Sequence, residues 1–181
     1  MKTDQTKTDN SFLADKVALR ASMLPSKKQL TVLDCYAGTG RIWDQVRKKT
    51  GRKINVVSID IDQKQHFVLL GDNEKWLSVM DLSAYDVIDL DAYGVPFSQL
   101  EILFEKKYKG LVFVTFIQSG FGVLPHDMLE CLGYTRRMIE KCPSLFFKKG
   151  RQKFFDYLKT RRIELVQVRE NARKQYLAFS M

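Results

Sequence analysis

The chain has 181 residues, a length that suits one domain with a sizeable buried core. Its composition, 45% hydrophobic and 12% aromatic, excludes a wholly disordered polymer, and apolar runs such as Leu111 to Ile117 are far shorter than the roughly 20 residues of a membrane span. The formal charge of +9 points towards acidic partners, although charge alone does not fix a fold. Three cysteines without a CxxC pair (Cys35, Cys131, Cys142) argue against a disulfide framework and a structural zinc, and suit a reducing cytoplasm. The two histidines, His66 and His126, have no neighbour at metal-ligand spacing, so no metal is expected.

Met1 to Asn10 alternates Lys, Thr and Asp and reads as a solvated tail, neither signal nor transit peptide, ahead of one domain over 11–181. Helical spacing of apolar residues predicts a helix from Phe12 to Leu24, stopped by Pro25. A short strand, Leu30 to Leu33, ends at Asp34 and is followed by Ala37-Gly38-Thr39-Gly40 and a helix from Arg41 to Lys49. Further strands are expected over Ile54 to Ile59, ending in Asp60, and over His66 to Leu70, ending in Gly71-Asp72-Asn73. Asp72 or Asn73 can cap a helix over Glu74 to Met80. A strand from Tyr85 to Leu90 ends in Asp91-Ala92-Tyr93-Gly94, a helix covers Phe97 to Lys107, and Gly110 to Ile117 makes a fifth strand. Strands alternating with helices imply right-handed crossovers and a parallel sheet, hence an α/β class. Beyond Gly120, helical periodicity runs over Asp127 to Leu132 and from about Ser144 to Lys159. Ile163 to Val168 and Gln175 to Phe179, around the polar turn 170–173, predict a closing antiparallel hairpin.

The charge is uneven. Residues 134–162 hold ten cations against Glu140 and Asp156, and Lys148, Lys149, Arg151 and Lys153 form its densest run. Such a stretch can gather phosphates by releasing their counterions, or can be a solvated helix face.

The first strand, glycine loop and helix place backbone N–H groups at the carboxyl end of a parallel sheet, where a nucleotide-like ligand is expected. In Gly38-Thr39-Gly40-Arg41-Ile42-Trp43, Trp stands where a dinucleotide fingerprint needs a small residue, and no Walker-type loop occurs. The run Val32-Leu33-Asp34-Cys35-Tyr36-Ala37-Gly38-Thr39-Gly40 resembles motif I of class I S-adenosylmethionine-dependent methyltransferases. That resemblance implies a three-layer, Rossmann-like fold with a mostly parallel seven-stranded sheet and a C-terminal antiparallel hairpin. It also implies S-adenosylmethionine as cofactor, held by Asp34, Ala37, Gly38 and Gly40, by Asp60 at the ribose, and by Asp72 and Asn73 near the adenine.

The run Asp89-Leu90-Asp91-Ala92-Tyr93-Gly94 resembles motif IV of amino-methyltransferases, and with the helix and strand behind it is similar to the tRNA guanine-N2 dimethyltransferase family over roughly residues 30 to 130. Ala92 stands where that family has proline. The resemblance implies Asp91 and Tyr93 as catalytic residues, the carboxylate accepting the hydrogens of an exocyclic amine while the ring stacks on the base. A nucleic-acid substrate follows, RNA before DNA, gripped by Lys148, Lys149, Arg151 and Lys153 or with a helper protein or second copy. Two alternatives stay open: a noncatalytic nucleic-acid-binding or adaptor protein, and a small-molecule methyltransferase. Cys35 lies in the cofactor loop, the wrong place for a cytosine-C5 nucleophile.

Overall fold

A computed structural model describes residues 12–62, 69–117, 124–143, 149–171 and 174–181. Helix α1 (Leu13–Met23) leads into β1 (Gln29–Asp34), the glycine loop and α2 (Arg41–Thr50). Pro25 ends the first helix region, and Gly51, at φ 65°, closes α2 by donating its N–H to the Arg47 carbonyl. β2 (Lys53–Asp60) and the two-residue β3 (Leu69–Leu70) follow. The first part of the expected third strand, 66–68, lies outside the described residues. Then come α3 (Asn73–Val79), β4 (Val87–Leu90), α4 (Phe97–Glu105) and β5 (Leu111–Ile117). α5 (His126–Cys131), α6 (Arg136–Lys141), α7 (Gly150–Thr160), β6 (Gln167–Asn171) and β7 (Lys174–Ser180) complete the described elements.

The seven strands lie in the order β3-β2-β1-β4-β5-β7-β6. The first five are parallel, and β7 inserts antiparallel between β5 and β6. From β1 the chain winds outward to β2 and later restarts at β4 on the other side, which opens a crevice at the carboxyl ends of β1 and β4.

Strand alternation sorts the core into two layers. Leu30 and Val32 of β1, Val87 of β4, and Leu111 and Phe113 of β5 face α1 and α2, meeting Val17, Leu19, Trp43 and Val46. The intervening Leu33, Ile88, Leu90, Val112 and Val114 face the other helices, among them Leu77, Leu100, Leu103, Met128 and Phe154. The same period puts Asp89 on the α1 side with Val87, and carries Asp91 there two residues on.

Two sequence expectations are corrected and one helix is added. β6 begins four residues later than expected: Gln167 to Asn171 pair with Ala178 to Lys174, whereas Ile163 follows Arg162, at φ 64°, as a buried connection in the core. α4 ends two residues earlier, because Lys107 turns to φ 52°. α6 was not expected; Thr135 caps it by accepting the Met138 N–H at 3.3 Å.

Candidate active site

A cavity of about 420 Å³ opens at the carboxyl ends of β1, β2, β4 and β5, inside the range of about 300–1,000 Å³ typical of small-ligand sites. Its floor is Cys35, Tyr36 and Gly38. Three carboxylates, Asp60, Asp62 and Asp72, line one end with Asn73; Asp91, Thr115, Tyr93, Lys16 and Lys174 line the other. Residues separated by more than 70 positions of chain thus share one hollow.

The glycine loop needs its glycines for backbone reasons. Gly38 and Gly40 sit at φ 50° and 71°, a region where a Cβ crowds the following carbonyl. The Ala37 N–H reaches the Ile59 carbonyl at 3.1 Å, tying the loop onto β2. Asp60 then accepts the Gly38 N–H at 2.6 Å on one carboxylate oxygen and the Asp62 N–H at 2.8 Å on the other. Each oxygen keeps a lone pair, so the group is fixed in orientation and still able to accept from a ligand's hydroxyls.

Asp72 caps α3 through the Glu74 N–H at 2.9 Å and lines the cavity as well. The Asn73 amide donates to the Cys35 carbonyl at 3.0 Å and accepts from Gln99 at 2.9 Å, clamping β1 to α4. Tyr36, which the sequence did not single out, lines the cavity, and burial pushes its hydroxyl up to about 12, opposed by its hydrogen bond with Asn73. It stays a neutral donor at physiological pH. Of the other expected cofactor residues, Asp34, Ala37 and Gly40 are not among the described residues lining the cavity.

Asp34 belongs instead to a buried polar cluster beneath the loop. Arg20 of α1, 1% exposed, binds Asp89 through two contacts, Nε to Oδ2 at 2.7 Å and Nη2 to Oδ1 at 2.6 Å. The Trp43 indole N–H donates to the same Asp89 at 2.9 Å. Desolvation opposes the guanidinium's charge, but Asp89 more than offsets it, so its proton is held more tightly than usual. Burial pushes the Asp34 carboxyl well above the ordinary carboxylate range, and the Asp89 charge adds to the effect.

The linkage follows from that direction. An unfolded Asp titrates near about 3.9, so above this pH the folded state holds a proton that the unfolded state releases. Stability is therefore lost as pH rises from about 4 towards the raised folded value. Asp34→Asn keeps an oxygen for the Tyr36 N–H, which Asp34 accepts at 3.3 Å, and removes the titration. Urea unfolding at pH 5 and pH 8 should show a smaller loss between the two for the variant than for the parent; equal losses would separate Asp34 from this effect.

At the opposite end, Asp91 is engaged on both oxygens. Lys16 Nζ lies 2.7 Å from Oδ2, and the Thr115 hydroxyl donates to Oδ1. Tyr93, 81% exposed, stands at the rim with its ring free to meet a flat ligand. Lys16 carried no signal in the sequence beyond its place one turn before Arg20.

The basic segment is more neutralised than its local count suggests. Arg136 pairs with Asp127 and Glu130 of α5, Arg151 with Glu170 of β6, and Arg161 with Glu101 of α4. Lys148 lies outside the described residues, and Lys149, Arg151 and Lys153 are not among those lining the cavity. Among the described residues no group of three or more His, Cys, Asp or Glu could hold a metal, and no helix is long and apolar enough to cross a membrane.

No family model matches the sequence, and no curated protein matches it. Solved structures do match in fold. A Bordetella parapertussis protein described as a candidate exported protein superposes with TM-score 0.58 at 11% identity, over 94% of this chain and 67% of the other. A Plasmodium falciparum protein described as a ribosomal RNA methyltransferase gives 0.55 at 17% identity, over 93% and 94%. The precorrin-6y C5,15-methyltransferase of Geobacter metallireducens gives 0.54 at 11%, over 100% and 93%. The fold is that of Rossmann-like methyltransferases, as the motif resemblance implied, with the mostly parallel sheet closed by an antiparallel hairpin.

Proposed function

We propose that the chain is an S-adenosylmethionine-dependent methyltransferase acting on a nucleic acid, with an exocyclic amino group of a base as acceptor and RNA before DNA. The observation that carries this reading is the cavity whose lining joins Asp60 and Asp91 with the glycine loop. Its donor set suits the cofactor: a carboxylate with spare lone pairs for ribose hydroxyls, glycine backbone for close approach, and Asp72 with Asn73 beyond. The likeness in fold to a protein described as a ribosomal RNA methyltransferase supports RNA. So does the excess of cations over 134–162, for which Lys148, Lys149, Arg151 and Lys153 are the proposed contacts.

When bound, the cofactor would supply an electrophilic methyl group. The chain's own residues then do three things. Asp60 and the glycine loop fix the donor end. Tyr93 stacks on the base and holds its amine in line. Asp91, whose oxygens each retain a lone pair, accepts an amine hydrogen and turns the nitrogen lone pair towards the methyl. Once the amine nitrogen has accepted the methyl group, Asp91 would take its surplus proton and pass it to water.

Calorimetry with S-adenosylhomocysteine tests the cofactor, and absence of saturable binding would end the reading. Transfer of labelled methyl groups to unmodified transcribed RNA tests the reaction. Asp91→Ala should lower the rate by about 10²–10⁴-fold, the usual contribution of a positioned proton acceptor, with affinity for the neutral S-adenosylhomocysteine retained. The engagement of both Asp91 oxygens inside the protein favours one second reading, a noncatalytic nucleic-acid-binding protein. It predicts salt-sensitive RNA binding, lost on neutralising Lys148, Lys149, Arg151 and Lys153, with no methyl transfer.

A further inference from the structure

Asp89 and Asp91 are two residues apart at the end of a strand, and Lys16 and Arg20 are four apart on a helix. Those spacings match: period two puts both acids on the α1 side of the sheet, and one helical turn puts both cations on the facing side of α1. Arg20 takes Asp89 and Lys16 takes Asp91. The two pairs differ in setting, because the Arg20 pair is sealed in the core while Lys16 and Asp91 line the cavity at 8% side-chain exposure each. Lys16 Nζ also stands 5.5 Å from the Tyr176 ring centre, so the ammonium is held by a carboxylate and an aromatic face together.

A carboxylate alone at the end of a half-closed cavity would collect cations. Paired with Lys16, Asp91 presents no net negative charge there. We propose that Lys16 is a positioning and specificity residue of the acceptor end: it fixes Asp91 and cancels its charge, so that the site admits uncharged conjugated amines and rejects alkylammonium ions such as lysine side chains and polyamines. This rests on the methyltransferase reading and narrows it. A base amine is uncharged at neutral pH and meets no repulsion from Lys16. An alkylammonium ion carries a full charge and has no lone pair until it loses a proton.

The test uses the full chain and needs no known substrate. S-adenosylmethionine carries a positive sulfonium where S-adenosylhomocysteine has a neutral sulfur, so the ratio of their dissociation constants reports the charge at the acceptor end. Lys16→Met exposes the Asp91 charge and should shift the ratio towards S-adenosylmethionine on the order of tenfold. Lys16→Arg should keep the parent ratio, and Asp91→Asn should shift it the other way. A general loss of structure weakens both ligands alike and leaves the ratio unmoved. In a second arm, butylammonium chloride titrated into protein saturated with S-adenosylhomocysteine should give saturable binding to Lys16→Met and none to the parent. An unchanged ratio in folded Lys16→Met, or equal butylammonium binding by parent and variant, overturns the proposal. Failure of the parent to bind either cofactor form is a different result, and removes the methyltransferase reading itself.

Discussion

Replacing Arg20 by Met should cost about 3–5 kcal/mol of folding free energy, the usual consequence of removing one partner from a buried ion pair. Few single changes in this chain should cost more, since a domain's whole stability is about 5–15 kcal/mol. The cost comes from what is left behind. Asp89 is fully buried, holds both of its Arg20 contacts inside the core, and among the described residues would keep only the Trp43 N–H as hydrogen-bond partner. Asp34 nearby already resists ionisation, and burial raises Asp89 as well, so without Arg20 the Asp89 carboxylate must stay charged and unpaired or take up a proton, and either costs folding free energy. The stem of Met fills much of the space of the arginine stem, which separates the charge effect from a packing loss. A second change makes the attribution sharper: in Arg20→Met with Asp89→Asn the core loses both charges, and the Asn oxygen still accepts from Trp43. Urea denaturation should show the double variant recovering at least half of the loss. If Arg20→Met alone lowers stability by less than about 1 kcal/mol, or if adding Asp89→Asn makes matters worse by a further comparable amount, the cluster is not held by charge pairing as described.

What could be read from the sequence, and what could not, divides along the range of the interactions involved. The glycine loop, the acid closing β2 and the strand-to-helix alternation are set by neighbours within a few residues, through turn chemistry, capping and period-two burial, and the fold follows from their order. Lys16 and Arg20 escaped notice because their partners lie 75 and 69 residues away, and a cation on an amphipathic helix ordinarily reads as a solvated edge. The D-x-D spacing at Asp89 and Asp91 held a clue, since two acids on one strand face require either water or cations opposite. α6 was missed because its two apolar residues, Met138 and Ile139, are adjacent and show no helical spacing, and its identity rests on the Thr135 cap and on Arg136 reaching back to α5. The basic stretch misled in degree, because its local count ignored Glu101, Asp127, Glu130 and Glu170, which come from outside it.

Asp60→Ala should weaken S-adenosylhomocysteine binding by about 100-fold or more, while Asp60→Asn should cost roughly tenfold. Hydrogen bonds to a charged group are worth about 1.5–3 kcal/mol each, and a carboxylate facing two ribose hydroxyls can accept from both, so its loss removes two such bonds. The amide of Asn keeps one accepting oxygen and replaces the other by a donor, which a hydroxyl can meet by turning, hence the smaller loss. Both variants also disturb the loop, because Asp60 holds the Gly38 and Asp62 N–H groups in place. Calorimetry can tell the two effects apart. Adenosine carries the hydroxyls without the methionine part, and 2′,3′-dideoxyadenosine lacks the hydroxyls. If Asp60 acts by gripping the sugar, the parent should prefer adenosine over its dideoxy analogue and Asp60→Ala should show no preference. If it acts only by shaping the loop, the preference should survive in the variant while both ligands weaken together. The second pattern would leave the glycine loop as the main element of the donor site and would place the sugar's partner elsewhere, with Asp62, which lines the same end, as the first residue to examine.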